Sequence, residues 1–295
     1  MNNSILSDLI YEENENGEIT VLDISNKDLV EITLPENTVA IGEWAFADCA
    51  DLKSINIPKT VKTIGERAFS YCLSLENILL PSGLAEINAS TFWGCKSLRK
   101  IEIPEGVCSI GRNAFFGCEA LSSIKLPEAL TEIPDGAFSG CLRLEEINIP
   151  GTTERIGEYA FAACQSLRDV IFPNRLTEIN DWAFSGCSSL SSLNLPSSLE
   201  YIGEKAFLGC TEITEITLPT SVEAVGEQIF AECDGLLNIY VKRESLPEDW
   251  SENWLDYSSA MVYTLCHIHA ENIIAYAPIA LSRCSGSDED IELPF

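Results

Sequence analysis

The sequence has little positive charge, almost no histidine and no long apolar run. Only 18 lysines and arginines stand against 46 aspartates and glutamates, a formal net charge of −28 over 295 residues. The deficit is spread out: −7 over residues 1–34, −14 over 35–241 and −7 over 242–295. Such a surface repels phosphate backbones and anionic lipid, so nucleic-acid binding is disfavoured and basic or neutral protein partners fit better. Both histidines, His267 and His269, lie near the C-terminal end, which leaves the rest of the chain without imidazole acid–base chemistry. No phosphate loop, dinucleotide fingerprint, zincin helix or nucleophile elbow occurs. Carboxylate pairs remain open because acidic residues are everywhere, but the expectation is a non-catalytic chain without a cofactor. No segment approaches the roughly 18 apolar residues of a membrane helix, so no membrane insertion is expected. Met1 to Tyr11 has no basic start and carries Asp8, so it does not read as a signal peptide. That favours work inside the cell, or export by a signal that has been removed or is of another kind.

What the chain has is a repeat. Proline stands at 35, 58, 81, 104, 127, 150, 173, 196 and 219, every 23 residues without insertion. Phenylalanine (Phe46 to Phe230) and cysteine (Cys49 to Cys233) recur nine times each in the same register. One unit is too short to enclose a core, so units must stack and turn each apolar slot into a ladder along one axis. An elongated solenoid therefore replaces the two domains that the length alone would predict.

Within a unit, Ser54-Ile55-Asn56-Ile57-Pro58 alternates as a short strand does, with Ile55 and Ile57 inward. Proline lacks an N–H for the neighbouring coil, so the ladder should end at Pro58 and the chain should turn. Val61 and Ile64 then predict a second apolar contact, read as a second short strand. The next slot holds Gly42, Gly65, Asn88, Gly111, Pro134, Gly157, Asn180, Gly203 and Gly226. Pro134 cannot adopt a left-handed backbone, so this slot is read as the N-cap of a short helical turn. The slot after it is acidic in seven of nine units, which suits the positive end of a helix dipole better than a metal site.

Nine of the twelve cysteines share one slot. Stacked coils would hold them about 4.8 Å apart and pointing the same way, farther than the roughly 3.5–4.5 Å between Cβ atoms of a disulfide. They are expected to be buried thiols acting as small hydrophobes, with redox or metal chemistry as the alternative.

The unit Leu195-Pro196 through Ile202-Gly203-Glu204-Lys205-Ala206-Phe207-Leu208-Gly209-Cys210 resembles the BspA-like, or treponemal-type, leucine-rich repeats, and the match spans about residues 30–241. The resemblance implies an α/β repeat fold: a right-handed leucine-rich-repeat solenoid of 23-residue coils, with a parallel β-sheet on its concave face and short helical turns elsewhere. Ordinary leucine-rich repeats carry an asparagine ladder after the strand. Here that region holds Asn37, Thr60, Gly83 and Gly106, and proline shapes the turn instead. Many relatives look like surface antigens and adhesins, so the resemblance also implies a surface or secreted setting and a host or microbial protein partner.

The expected organisation is an N-terminal cap over 1–34, nine repeats over 35–241, a C-terminal cap over 242–264 and a tail over 265–295 that is partly disordered. Asn16-Gly17 predicts a hairpin in the first cap. Trp250, Trp254 and Tyr257 suit the second. In the tail, Cys266, His267, His269 and Cys284 form the alternative metal-binding or redox-sensitive set, with a spacing unlike familiar zinc fingers.

The candidate partner-binding residues are the outward strand positions Asn56, Asn77, Leu79, Lys100, Glu102, Lys125, Glu146, Asn148, Asp169, Ile171, Asn194, Glu215, Thr217, Asn238 and Tyr240. They vary from unit to unit while the inward slots hardly change. Leu79, Ile171 and Tyr240 are the apolar members and the expected anchors.

Overall fold

The computed structural model describes residues 7–248, 250–268 and 273–279. A hairpin of β1 (Leu9–Glu13) and β2 (Ile19–Ile24) comes first. Coils then follow, most of them with a face strand and a second strand. These are β3 (Glu31–Thr33) with β4 (Thr38–Ile41), β5 (Ser54–Asn56) with β6 (Thr63–Ile64), and β7 (Asn77–Leu79) with β8 (Glu86–Ile87). Next are β9 (Lys100–Glu102) with β10 (Ser109–Ile110), β11 (Ser123–Lys125) with β12 (Glu132–Ile133), and β13 (Glu146–Asn148) with β14 (Arg155–Ile156). Then come β15 (Asp169–Ile171) with β16 (Glu178–Ile179), β17 (Tyr201–Ile202) alone, and β18 (Glu215–Leu218) with β19 (Ala224–Val225). The chain continues through β20 (Asn238–Val241), β21 (Met261–Ile268) and β22 (Ile273–Ile279).

Coil-to-coil pairing is parallel and steps by one repeat, as in Glu146 opposite Asp169 and Ile147 opposite Val170. Face strands keep their central residue buried and its neighbours exposed, which is the period-2 pattern of a half-buried strand. The face ladder ends before the proline, and Val61 N–H closes a turn on the Pro58 carbonyl at 3.1 Å. The second strand expected at Val61–Ile64 forms over Thr63–Ile64.

The core is a file of rings. Phe46 through Phe230 are fully buried, and successive rings stack with centroids 5.1–5.7 Å apart and planes within 15°. Each buried phenylalanine stabilises the fold by roughly 1.5–3 kcal/mol. The cysteine file runs beside it. From Cys72 to Cys233 each thiol donates to the carbonyl of the phenylalanine 26 residues earlier, at 3.1–3.3 Å.

The helical turns expected around Ala-Phe do not form, and no α-helix occurs among the described residues. Every one of the nine coils instead carries two residues of positive φ four positions apart, such as Arg67 (54°) with Tyr71 (58°) and Lys205 (51°) with Gly209 (69°). A helix cannot pass through either. The segment is a run of overlapping β-turns: Ala68 N–H to Gly65 O at 3.3 Å, Ser70 to Arg67 at 3.0 Å and Cys72 to Phe69 at 3.2 Å. Arg67 and Tyr71 occupy the third position of the first and last turns, where a type II turn requires positive φ. The alternate N–H groups reach the next coil, Arg67 to Ala89 O at 3.1 Å, Phe69 to Thr91 O at 2.9 Å and Tyr71 to Trp93 O at 2.7 Å.

The Gly/Asn slot is consequently not a helix cap. It is not left-handed either; its constraint is close approach. A Cβ at Gly111 would lie 2.3 Å from the Ala89 nitrogen of the preceding coil. Where asparagine stands instead, its amide is used: Asn88 Nδ2 donates to Ile64 O at 2.8 Å and Asn180 Nδ2 to Ile156 O at 2.9 Å. The acidic slot beside it likewise has no helix dipole to meet. Asp135 accepts the Glu158 N–H at 3.0 Å and Asp181 the Glu204 N–H at 2.8 Å, which ties neighbouring coils.

Hairpins close the stack at opposite ends and on opposite sheets. The β1–β2 hairpin turns at Asn16-Gly17, with Gly17 at φ 75°, and β2 joins β4 in the second sheet. At the other end β21 pairs with β20 in parallel, Asn238 opposite Met261, and β22 folds back antiparallel on β21. That register is one full repeat, so residues 242–264 form a tenth coil. Its Trp250 and Trp254 are buried, 5.0 Å apart edge to face. Strand β21 runs past residue 264, where the tail was expected to begin.

Candidate binding face

The outward positions of the face strands make one surface because inward and outward residues alternate along each strand. Asn56, Asn77, Lys100, Glu102, Lys125, Glu146, Asn148, Asp169 and Glu215 are exposed on it. Leu79 and Ile171 are 72% and 68% exposed, large for aliphatic side chains. Thr217, Asn238 and Tyr240 are only half-buried. Tyr240 stacks on Tyr263 of β21 at 5.3 Å, so the expected free anchor is already in contact with the tenth coil. Asn194 is exposed, but residues 192–194 form no strand, so it sits in a break of the ladder rather than on it.

The charges on this face fall into two kinds. Lys100 pairs with Glu102 at 2.8 Å and Lys125 with Glu105 at 2.7 Å, so these two lysines are locally neutralised. Among the described residues Glu145, Glu146, Arg168 and Asp169 take part in no ion pair. These four, with Ser122 and Ser123, line an open cavity of about 360 Å³ between β11, β13 and β15. Ser122, Glu145 and Arg168 stand one residue ahead of their strands, and the strand-alternation reading missed them. Their 23-residue spacing was the available signal.

A second surface escaped the sequence reading. On the turn side the Arg67 guanidinium lies between two indoles, 4.6 Å from the Trp44 ring and 4.9 Å from Trp93. Trp93 also meets Tyr71 at 6.1 Å and Phe116 at 5.5 Å. Further along, Lys205 Nζ sits 4.6 Å over Trp182, which stacks on Tyr159. Such contacts fix long side chains on the surface, each worth on the order of 0.5–2 kcal/mol.

The cysteine file offers poor chemistry. The nine ladder thiols are free and buried, and Cys108 is the exposed cysteine among those whose side chains are described. Burial pushes their thiols up, Cys49 to about 11 and Cys164 and Cys233 to about 12. The thiolate that nucleophilic or redox chemistry needs is thereby suppressed. Of the tail set, Cys266 and His267 lie in β21 opposite Ala275 and Ile274. His269 and Cys284 lie outside the described residues. Among the described residues no three His, Cys, Asp or Glu converge on one metal position, and no helix is long and apolar enough to cross a membrane.

Comparison with known proteins agrees with this geometry. The model of the BspA type leucine rich repeat region matches residues 24–145 and 131–249, in six copies. No curated protein matches the chain. Among solved structures it is similar to a leucine-rich repeat protein from Bacteroides ovatus, with 27% identity and a TM-score of 0.48 over 83% of this chain and 88% of that one. A leucine rich cell surface protein from Faecalibacterium prausnitzii gives 20% identity and a TM-score of 0.50, covering 87% of this chain and 93% of the other. The pneumococcal vaccine antigen PcpA gives 19% and 0.52, covering 85% and 77%. A parallel solenoid of 23-residue coils, with its phenylalanine and cysteine files and a family match over most of its length, places this chain in the BspA-type leucine-rich repeat family.

Proposed function

We propose that the chain is a non-catalytic module that binds another protein through the face strands, the concave side of the solenoid. The observation that carries this reading is the contrast between Leu79 and Ile171 and everything beneath them. Their inward neighbours, such as Ile78 and Val170, are buried and serve the core, whereas these two are exposed and do no packing that stability requires. Aliphatic side chains left in water on a polar face gain by being covered, which a docking protein surface would do. A partner with positive potential is favoured by the net charge of −28. The family supports an interaction role in general terms. One fold neighbour is described as a cell surface protein and another as a vaccine antigen, which fits an exported setting for this chain too.

The test is capture of a partner by the immobilised full chain and by a Leu79→Glu, Ile171→Glu double variant. Because both side chains are exposed, the variant should keep its melting temperature and lose the captured protein. Undiminished capture by a folded variant overturns the reading.

A further inference from the structure

We infer that residues 290–294 of one copy of this chain dock in parallel on the free edge of β3 of a second copy, so that the protein associates head to tail. The inference is independent of what binds the strand face.

The first support is a motif. The units share one pattern at the face: an apolar residue, any residue, an apolar residue, then proline. Glu31-Ile32-Thr33-Leu34-Pro35, Lys100-Ile101-Glu102-Ile103-Pro104 and Glu215-Ile216-Thr217-Leu218-Pro219 are examples. Asp290-Ile291-Glu292-Leu293-Pro294 repeats that pattern beyond the repeats. The slots that hold Phe46, Cys49 and Leu52 ahead of β5 hold Ser282, Ser285 and Asp288 ahead of this segment. It thus has the motif of a face strand without the core residues of a coil. A strand of this kind buries its two apolar residues only beside another face strand.

The second support is an edge of matching pattern. Strand β3 pairs with β5 alone among the described strands, because the β1–β2 hairpin joins β4 on the other sheet. The Val30 carbonyl accepts from the Lys53 N–H and the Leu34 N–H donates to Asn56, both toward β5. Alternation turns the N–H and C=O of Glu31 and Thr33 to the free side, where a parallel strand would bond them. Such an edge is a template for another chain. In the register of the repeat, Ile291 would lie beside Ile32 and Leu293 beside Leu34. Ile10, Tyr11, Leu22 and Val30 are exposed at this end of the stack, and the incoming apolar residues would help cover them.

The third support is reach, which makes the occupant a second copy. Met261 stands ten 23-residue steps after Glu31, and β22 lies one strand further. That is about 50 Å along the sheet, from the usual strand spacing. Residues 280–289, which link β22 to the segment, extend at most about 40 Å. The segment therefore falls short of its own β3. Its own β22 is within reach, but β22 runs against the face strands and carries Ala275, Ala277 and Pro278 in place of their motif. The contact forms against like charge: residues 1–34 carry −7, and Asp288, Glu289, Asp290 and Glu292 flank or belong to the segment. Salt should consequently strengthen it. Joining unlike ends leaves one of each free, so the assemblies are open chains rather than closed dimers.

The test is sedimentation velocity of the full chain, with amide hydrogen exchange to locate the contact. Mass should rise with concentration, and more so in high salt than in low. Exchange at Glu31 and Thr33 should slow about tenfold or more from dilute to concentrated protein. Ile291→Asp with Leu293→Asp should abolish both effects and leave the melting temperature unchanged. A peptide of residues 288–295 should protect the same two amides and shorten the assemblies. A monomer at every concentration and salt overturns the inference; if the double variant then alters exchange in β22, the segment pairs within its own chain. Assemblies that survive the double variant, that dissolve in salt, or that protect amides other than Glu31 and Thr33 overturn it as well.

Discussion

The Cys141 thiol and the Phe115 carbonyl, 26 residues apart in sequence, are 3.3 Å apart. That carbonyl already accepts the Cys118 N–H of its own coil at 3.1 Å. Both of its lone pairs are therefore used, one within the coil and one from the next. A side chain in the cysteine slot must be small, apolar and able to donate once, which describes a thiol. Cys141→Ala removes the donor and leaves a void in a buried stack. The expected loss is about 1–2 kcal/mol, read as a lower midpoint in urea.

The same burial predicts an alkaline instability. The folded thiols titrate above the ordinary value of 9.0, at about 11 for Cys49 and about 12 for Cys164 and Cys233, because burial penalises the thiolate. A raised folded value means that stability is complete below the unfolded value. It is lost as pH rises through 9 toward the folded values, since the unfolded chain releases its protons first. Each thiol withdraws up to about 1.4 kcal/mol per pH unit in that window. Melting temperatures under reductant should be flat from pH 7 to 8.5 and fall steeply by pH 10. A Cys118→Ala, Cys141→Ala, Cys164→Ala variant should fall less steeply.

The left-handed column makes a paired prediction. Ala163 and Gly186 occupy the same slot in adjacent coils, at φ 58° and 73°. Gly186→Ala should cost about 1 kcal/mol, because a Cβ is strained at that φ. Ala163→Gly relieves the same strain and should hold or raise the stability by a few tenths of a kcal/mol, net of the added freedom of the unfolded chain. Denaturant midpoints moving in opposite directions, with the cooperativity unchanged, confirm it. Identical shifts would contradict it.

Arg67 gives a test of the aromatic surface. Arg67→Met keeps the apolar stem between Trp44 and Trp93 and removes the charge. A loss of about 1 kcal/mol is expected. Tryptophan emission should change as well, because two of the five indoles lose their cation.

What the repeat made legible was the inside. Ile147 between Glu146 and Asn148 reads as a half-buried strand from alternation alone, and it folds as one. The turn segment was harder. Gly94, Gly117, Gly140, Gly186 and Gly209 mark a left-handed slot, and Asp48 tolerates it, but Tyr71, Ala163 and Glu232 fill the same slot with side chains that avoid that conformation. Cross-coil hydrogen bonds hold them there, as in Ala163 N–H to Ser185 O at 2.7 Å, and local propensity cannot register a bond to a residue 22 positions away. On the binding face the positions were legible and the pairings were not. Register puts Glu145 beside Arg168, yet whether the two join depends on side-chain paths that the backbone pattern leaves undetermined. Nor did the tenth coil announce itself, because its tryptophans replace the repeat's own residues.

The step from Asn238 to Met261 equals the step between any two earlier coils. The C-terminal hairpin therefore continues the stack in the same register, whereas β2 meets β4 through a one-residue register shift. Adding or removing one coil of 23 residues would lengthen or shorten the stack by about 4.8 Å without changing the register at the C-terminal closure. The repeat is thus a unit of length as well as of packing: reach is set by the number of coils, each bringing its own phenylalanine and cysteine to the two files.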